Sequence, residues 1–265
     1  MTIPKYPLLF IHGMGFRDGK KPWYWGRIPK TLENEGCKVF FGKQQCVASC
    51  ETNGREIAKR ILQITKECGV GKVNVITHSK GGLDARCAAA IPGMAQYIAS
   101  ITTLSAPHNG SATMDALFRI PLLLKALSAA VTPFFRLLGD TNPEFLKCLY
   151  SFTTEGAKKF NEKYKAPPGV YCQSYAFDYG YDYFMFPYHL IVKHFEGNND
   201  GLVSPANAVW ENFRGVMRSN SKRGIAHTDI IDWWRRPLTK KTGKGISDIT
   251  DFYKSMVREL AEMGF

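Results

Sequence analysis

The residues of this chain best placed for chemistry gather around Ser79. The run Val73-Asn74-Val75-Ile76-Thr77-His78-Ser79-Lys80-Gly81-Gly82 is a short apolar, β-prone stretch that stops at a serine and leads into a helical segment. A strand that turns sharply into a helix holds such a serine in a strained backbone conformation and lifts its Oγ above the sheet. So tight a turn needs neighbours without bulk, which Gly81 and Gly82 supply. Thr77 stands where the Gly-x-Ser-x-Gly pattern has its first glycine. Upstream, the buried-strand run Pro7-Leu8-Leu9-Phe10-Ile11 ends at His12-Gly13-Met14-Gly15-Phe16. Its glycines allow the Met14 N–H to face a developing negative charge, with the Lys80 N–H as the second donor. A nucleophilic serine presented in this way draws an acid and then a base from loops further along the chain. Of six histidines, His12 and His78 belong to the two loops, His108 reads as a loop brace, and His189 and His194 precede the best acid, Asp200. Only His227 follows that acid, so Ser79, Asp200 and His227 could together perform acyl transfer through a covalent intermediate. Asp178 and Asp182 are the other carboxylates that could serve as the acid.

These residues need a rigid frame, and the pattern around them predicts one. Strand-like runs alternate with helical ones, as in a mostly parallel sheet covered on both faces. Asn53-Gly54-Arg55-Glu56 reads as a capping box opening a helix that carries Ile57, Ile61 and Ile64 on one face, closed by Gly69 and Gly71. Ile249, Phe252, Tyr253, Met256, Val257 and Leu260 recur at helical spacing and predict a final helix packed on the sheet. One segment, 111–155, interrupts the alternation with a dense apolar set that includes Leu122, Leu123 and Leu124, and Pro121 and Pro133 should divide it into short helices.

At 265 residues the chain suits one α/β domain, 1–265, with a large core. No apolar run approaches the roughly 20 residues that span a bilayer. Met1-Thr2-Ile3-Pro4-Lys5 leads straight into the first strand without a signal-peptide pattern, which predicts a cytoplasmic protein, or a secreted one if a leader has been removed. Seven scattered cysteines read as reduced thiols. No Cys/His spacing suggests zinc and no glycine-rich phosphate loop occurs, so no cofactor is expected. The net charge of +12 comes without a nucleic-acid recognition motif, so nucleic acid is not an expected partner. It predicts a solvated basic surface or attraction to an anionic lipid interface.

Taken together the segments resemble the bacterial true lipases of the α/β-hydrolase superfamily, the family I triacylglycerol lipases. The resemblance rests on His12-Gly13-Met14, Val73 to Gly82, Ile101 to Ser111, Phe152 to Asn161, Asn199 to Val203 and the loop at His227. It implies an α/β-hydrolase fold with a helical lid at 111–155, a Ser79–Asp200–His227 triad, and the Met14 and Lys80 backbones as oxyanion hole. Phe16, Leu122 and Leu123, and Trp23, Tyr24 and Trp25 beside the oxyanion loop, would then contact a lipophilic ester substrate, with peripheral attachment to a lipid surface; the other reading of these aromatics is core packing, and of the apolar segment a core helix pair. Of the family's structural calcium pair only Asp229 is matched, and Phe186 occupies the region of the other aspartate, with Asp178 and Asp182 further away. A thioesterase or acyltransferase using the same triad, or a lipid-binding protein with a silent triad, are the alternatives.

Overall fold

The structure, a computed structural model, describes residues 2–18, 24–179 and 185–265. In chain order its elements are β1 (Leu8–Ile11), α1 (Ile28–Asn34), β2 (Val39–Phe41), α2 (Cys50–Cys68), β3 (Val73–His78), α3 (Gly81–Ala89) and β4 (Ile98–Leu104). They continue with α4 (Ala112–Phe118), α5 (Pro121–Leu137), α6 (Phe145–Tyr150), α7 (Thr154–Lys163), β5 (Tyr171–Phe177), α8 (Phe186–Glu196), β6 (Asn212–Met217) and α9 (Ile249–Glu262). The six strands form one sheet in the order β2-β1-β3-β4-β5-β6, and every pairing is parallel.

That order fixes where a site can be. The connection from β1 to β2 moves the chain one way across the sheet and everything from β3 onward moves it the other way. The crevice outside the carboxyl ends of β1 and β3 is thus the topological switch point, where open α/β sheets bind ligands. Ile11 pairs with Thr77, so the next residues, His12 and His78, leave the sheet side by side at that crevice.

The four inner strands, β1, β3, β4 and β5, are buried on both faces and their side chains divide accordingly, while the edge strands β2 and β6 are only partly covered. Leu8, Phe10 and Ile76 face a layer built by Trp25 and Ile28 on one side and by Tyr253, Met256 and Val257 of α9 on the other. Leu9, Ile11, Val73 and Val75 face Ile57, Ile61 and Ile64 of α2, with Ala85 and Ala88 of α3. Both predicted helical stripes are therefore buried, and Gly69 closes α2 in the left-handed region at φ 65°. The start of α2 differs from expectation. Ser49 is the cap, accepting from the Thr52 N–H, and Asn53 lies inside the first turn with its side chain pointed inward to other partners.

Between β4 and β5 lies the apolar segment, as α4, α5 and α6. Leu124, Phe135, Phe145, Leu149 and Phe152 form its own cluster over Leu83 and Val47. Pro121 opens α5, and the bend between α4 and α5 is 94°. Pro133, expected to end a helix, sits within α5, which continues to Leu137. Among the described residues no single helix is long and apolar enough to cross a membrane.

Candidate active site

Ser79 follows the last residue of β3 with φ 55°, the left-handed conformation that a serine adopts only when its surroundings enforce it. The enforcement is visible at its neighbours. A Cβ on Gly81 would lie 2.5 Å from the Ile11 carbonyl oxygen and 2.7 Å from that of His12, and one on Gly82 would lie 2.5 Å from the Ala106 Cβ. The elbow is pressed against the loop after β1 so closely that only glycine fits. The same holds across the crevice, where a Cβ on Gly13 would come 3.0 Å from the Ser79 Cβ.

The Gly13 N–H donates to the Tyr24 hydroxyl at 2.8 Å, and that hydroxyl, 2.6 Å from His78 Nδ1, has its one proton to give there. Gly13 is therefore occupied, whereas neither the Met14 nor the Lys80 amide has a partner among the described residues. Burial pushes the Tyr24 phenol up. Burial, with His227 adding to it, holds the His78 imidazole well below the ordinary histidine range, so His78 is neutral and a hydrogen-bond acceptor. Tyr24 thus bridges the loop after β1 and the residue before Ser79. Sequence reasoning places Tyr24 beside the oxyanion loop but not in this bridge, because a tyrosine between two tryptophans carries no sign that its partner lies 54 residues on.

Asp200 and His227 meet. His227 Nδ1 lies 2.7 Å from Asp200 Oδ2, and the His227 backbone N–H donates to the Asp200 carbonyl, also at 2.7 Å. The other carboxylate oxygen accepts from the Leu202 and Val203 amides at 3.0 and 2.8 Å. Burial works to raise the Asp200 pKa, but the His227 ring, the Ser105 hydroxyl and the Leu202 amide outweigh it and hold the carboxyl below its ordinary value. The rings of His227 and His78 are 4.3 Å apart, which brings the imidazole to the residue preceding Ser79. His108 is a brace, buried between Arg86 and Thr103. Asp178 faces Arg218 at 3.1 Å and not His227, and Asp182 lies outside the described residues.

The expected substrate contacts divide. Phe16 is exposed beside Tyr24 and Trp233, with ring centroids 5.1 and 5.2 Å away. Trp25 is corrected to core: it is fully buried, edge-on to Phe10 at 4.9 Å, because α1 and α9 close over that face of the sheet. Leu122 and Leu123 point outward on α5, 80% and 50% exposed. Trp23 lies outside the described residues. Asp229 accepts from Arg223 at 2.7 Å and from the Ala226 amide at 3.0 Å, so it pins the loop that carries His227.

No protein-family model matches the chain. It is 28% identical over 260 residues to triacylglycerol lipase 2 of Saccharomyces cerevisiae, an alignment that covers 91% of this chain and 74% of that protein. It is 33% identical over 178 residues to a triacylglycerol lipase of Pseudomonas fragi and 29% over 180 to one of Vibrio cholerae. Those two alignments cover 63% and 64% of this chain, which spans 59% and 56% of the respective bacterial relatives. Among solved structures, Staphylococcus hyicus lipase superposes with a TM-score of 0.73 at 18% identity, covering 98% of this chain and 97% of that one. The mature Bacillus licheniformis lipase BlEst2 superposes at 0.66 and 22%, covering 86% and 87%. The architecture that places Ser79 at the switch point is the one these structures share: the chain has their fold, a parallel sheet covered by helices, and its sequence is similar to a lipase over nine-tenths of its length.

Proposed function

We propose that this chain is a serine carboxylester hydrolase acting on acylglycerols or similar lipophilic esters. The observation that carries the reading is the Asp200–His227 pair held at 2.7 Å in the same crevice as a serine in left-handed backbone. In this reading Ser79 Oγ attacks the ester carbonyl and His227 takes its proton, then passes it to the departing alcohol. Asp200 orients the imidazole and stabilises its cation. The Met14 and Lys80 amides hold the tetrahedral oxyanion, and water repeats the sequence on the acyl-enzyme.

Lipophilic substrates are supported by the surface beside the crevice. Residues 111–155 would be a lid: Ile120, Leu122, Leu123, Phe134 and Leu137 of this segment are 50–86% exposed. Helix α8, packed on α4, adds exposed Tyr188, Leu190, Ile191 and Phe195. Exposed apolar side chains gathered on helices that both pack on α4 suit an interaction surface, and Arg119, Lys125, Arg136 and Lys193, all exposed, suit peripheral contact with a lipid interface. The test is labelling with a fluorophosphonate, followed by an ester chain-length profile with and without an emulsion. A mass increase on the Ser79 peptide and preference for emulsified long-chain esters are expected. Absence of labelling overturns the reading.

A further inference from the structure

An oxyanion donor on the residue after the nucleophile is a backbone group, so the side chain at position 80 has no part in it. Yet Lys80 carries its ammonium into the interior, 1% exposed, and donates to Asp84 Oδ1 at 2.5 Å. Such a buried pair rarely stabilises a fold more than apolar residues of the same size would, so its presence calls for another reason. The contacts beyond it supply one. The second Asp84 oxygen accepts from Asn53 Nδ2 at 2.8 Å, and the Asn53 amide grips the Gln45 backbone from both sides, donating to its carbonyl at 2.9 Å and accepting from its N–H at 3.1 Å. The residues flanking Gln45 hold the loop after β1. The Cys46 carbonyl accepts from the Gly15 N–H at 3.1 Å, and Gln44 Nε2 donates to the His12 carbonyl at 3.0 Å. Every link from Lys80 to Cys46 is at most 3% exposed. The connection therefore begins at the residue of one oxyanion donor, Lys80, and ends on either side of the other, Met14, at Gly15 directly after it and at His12 two residues before it.

We propose that the Lys80–Asp84 pair is a positioning device, the anchor of a dry polar strut through Asn53 and Gln45 that sets the separation of the Lys80 and Met14 amides. The inference rests on the reading of those amides as the oxyanion hole. Oxyanion donors act only when they lie about 2.7–3.1 Å from the developing charge, and loss of one donor costs roughly 10²–10³ in kcat. A strut that is cut shifts both donors without removing either, so a fall on the order of 10- to 100-fold is expected.

The test is the double variant Lys80→Met/Asp84→Leu, which removes the charges together, and separately Asn53→Leu, which cuts the strut and leaves the ion pair in place. Each is measured for kcat and KM on p-nitrophenyl butyrate, for the rate of fluorophosphonate labelling, for affinity toward phenylboronic acid as a tetrahedral mimic, and for Tm. Expected is a parallel 10- to 100-fold loss in kcat, labelling rate and boronate affinity, with KM within twofold of the parent in whichever variant folds. A folded variant with kcat and boronate affinity within twofold of the parent overturns the inference, whatever its Tm. A parent that neither labels nor turns over ester overturns the hydrolase reading, and this inference with it.

Discussion

Replacing Asp200 with asparagine tests the acid assignment through the tautomer of His227. Asp200 Oδ1 accepts two backbone N–H groups, from Leu202 and Val203, while Oδ2 faces His227 Nδ1. An asparagine has one oxygen and one NH₂ to place in these two positions. Turning the NH₂ toward Leu202 and Val203 would oppose donors to donors and strand buried groups, at about 1–3 kcal/mol each. The oxygen therefore stays with the backbone and the NH₂ turns to His227, which must then accept at Nδ1 and carry its proton on Nε2. That tautomer has no lone pair for the Ser79 proton. Where a triad aspartate has been changed in this way in a serine protease, kcat falls by roughly 10⁴. The same loss here corresponds to about 5.4 kcal/mol of barrier at 1.36 kcal/mol per decade. The assay is kcat on a soluble short-chain ester, with Tm for the fold and ¹⁵N resonances of His227 for the tautomer. A folded Asp200→Asn variant with kcat within tenfold of the parent refutes the reasoning. A crippled Asp178→Asn beside it would move the acid to a residue that the structure pairs with Arg218.

Three further outcomes follow. Ser79→Ala should lose fluorophosphonate labelling and retain only the background of roughly 10³–10⁴ over water that oxyanion donors and binding provide, and labelling elsewhere would expose a different nucleophile. Leu122→Ser and Leu123→Ser should lower activity on emulsified long-chain ester while sparing soluble short-chain ester. Leu124→Ala, buried beside Phe135 and Phe145, should instead lower stability by about 2–5 kcal/mol, read as denaturation midpoints, and equal substrate losses for Leu122 and Leu124 would contradict the division. Glu144 ties α6 to the start of α2, accepting from Lys147, Ser49 and Thr52. Burial works against its charge, but these donors prevail and take its pKa from 4.5 down to about 2. A depressed carboxyl contributes stability that is present above pH 4.5 and lost as pH falls toward 2, so the Tm gap between parent and Glu144→Gln should shrink between pH 7 and pH 3; a constant gap would count against the linkage.

What could be read from the sequence was local backbone chemistry. Ser79 is legible because strand, serine and paired glycines are contiguous, and the close approach that demands Gly81 and Gly82 is a consequence of the turn itself. The stripes of α2 and α9 are legible because burial repeats with the helix. Trp25 was not, since an aromatic residue beside the oxyanion loop can line a pocket or fill the core with equal local fitness. Here the decision was made by α9, more than 200 residues away, whose Tyr253 shares the Phe10 face that Trp25 fills. Pro133 was misread for a related reason: it removes one hydrogen bond from α5, but Phe135 buries beyond it and extends the helix past the proline.

The start of α2 turns on a competition between two residues that are both good caps. Ser49 and Asn53 are each able to accept from a free helical N–H, and the Asn53-x-x-Glu56 spacing favours the second. Taking Ser49 as cap adds one turn of helix and frees the Asn53 side chain, which then makes three hydrogen bonds in the interior, two to Gln45 and one to Asp84. Glu144 reinforces the earlier start by accepting from the Ser49 amide and hydroxyl. None of these partners is within five residues of Asn53 except the cap itself, so no window along the chain contains the terms that decide it. The same long-range terms link the loop after β1 to the helix after Ser79. The helix therefore begins four residues early because these bonds favour Asn53 inside, and a variant that made Asn53 the cap would have to give up its hold on Gln45 and Asp84.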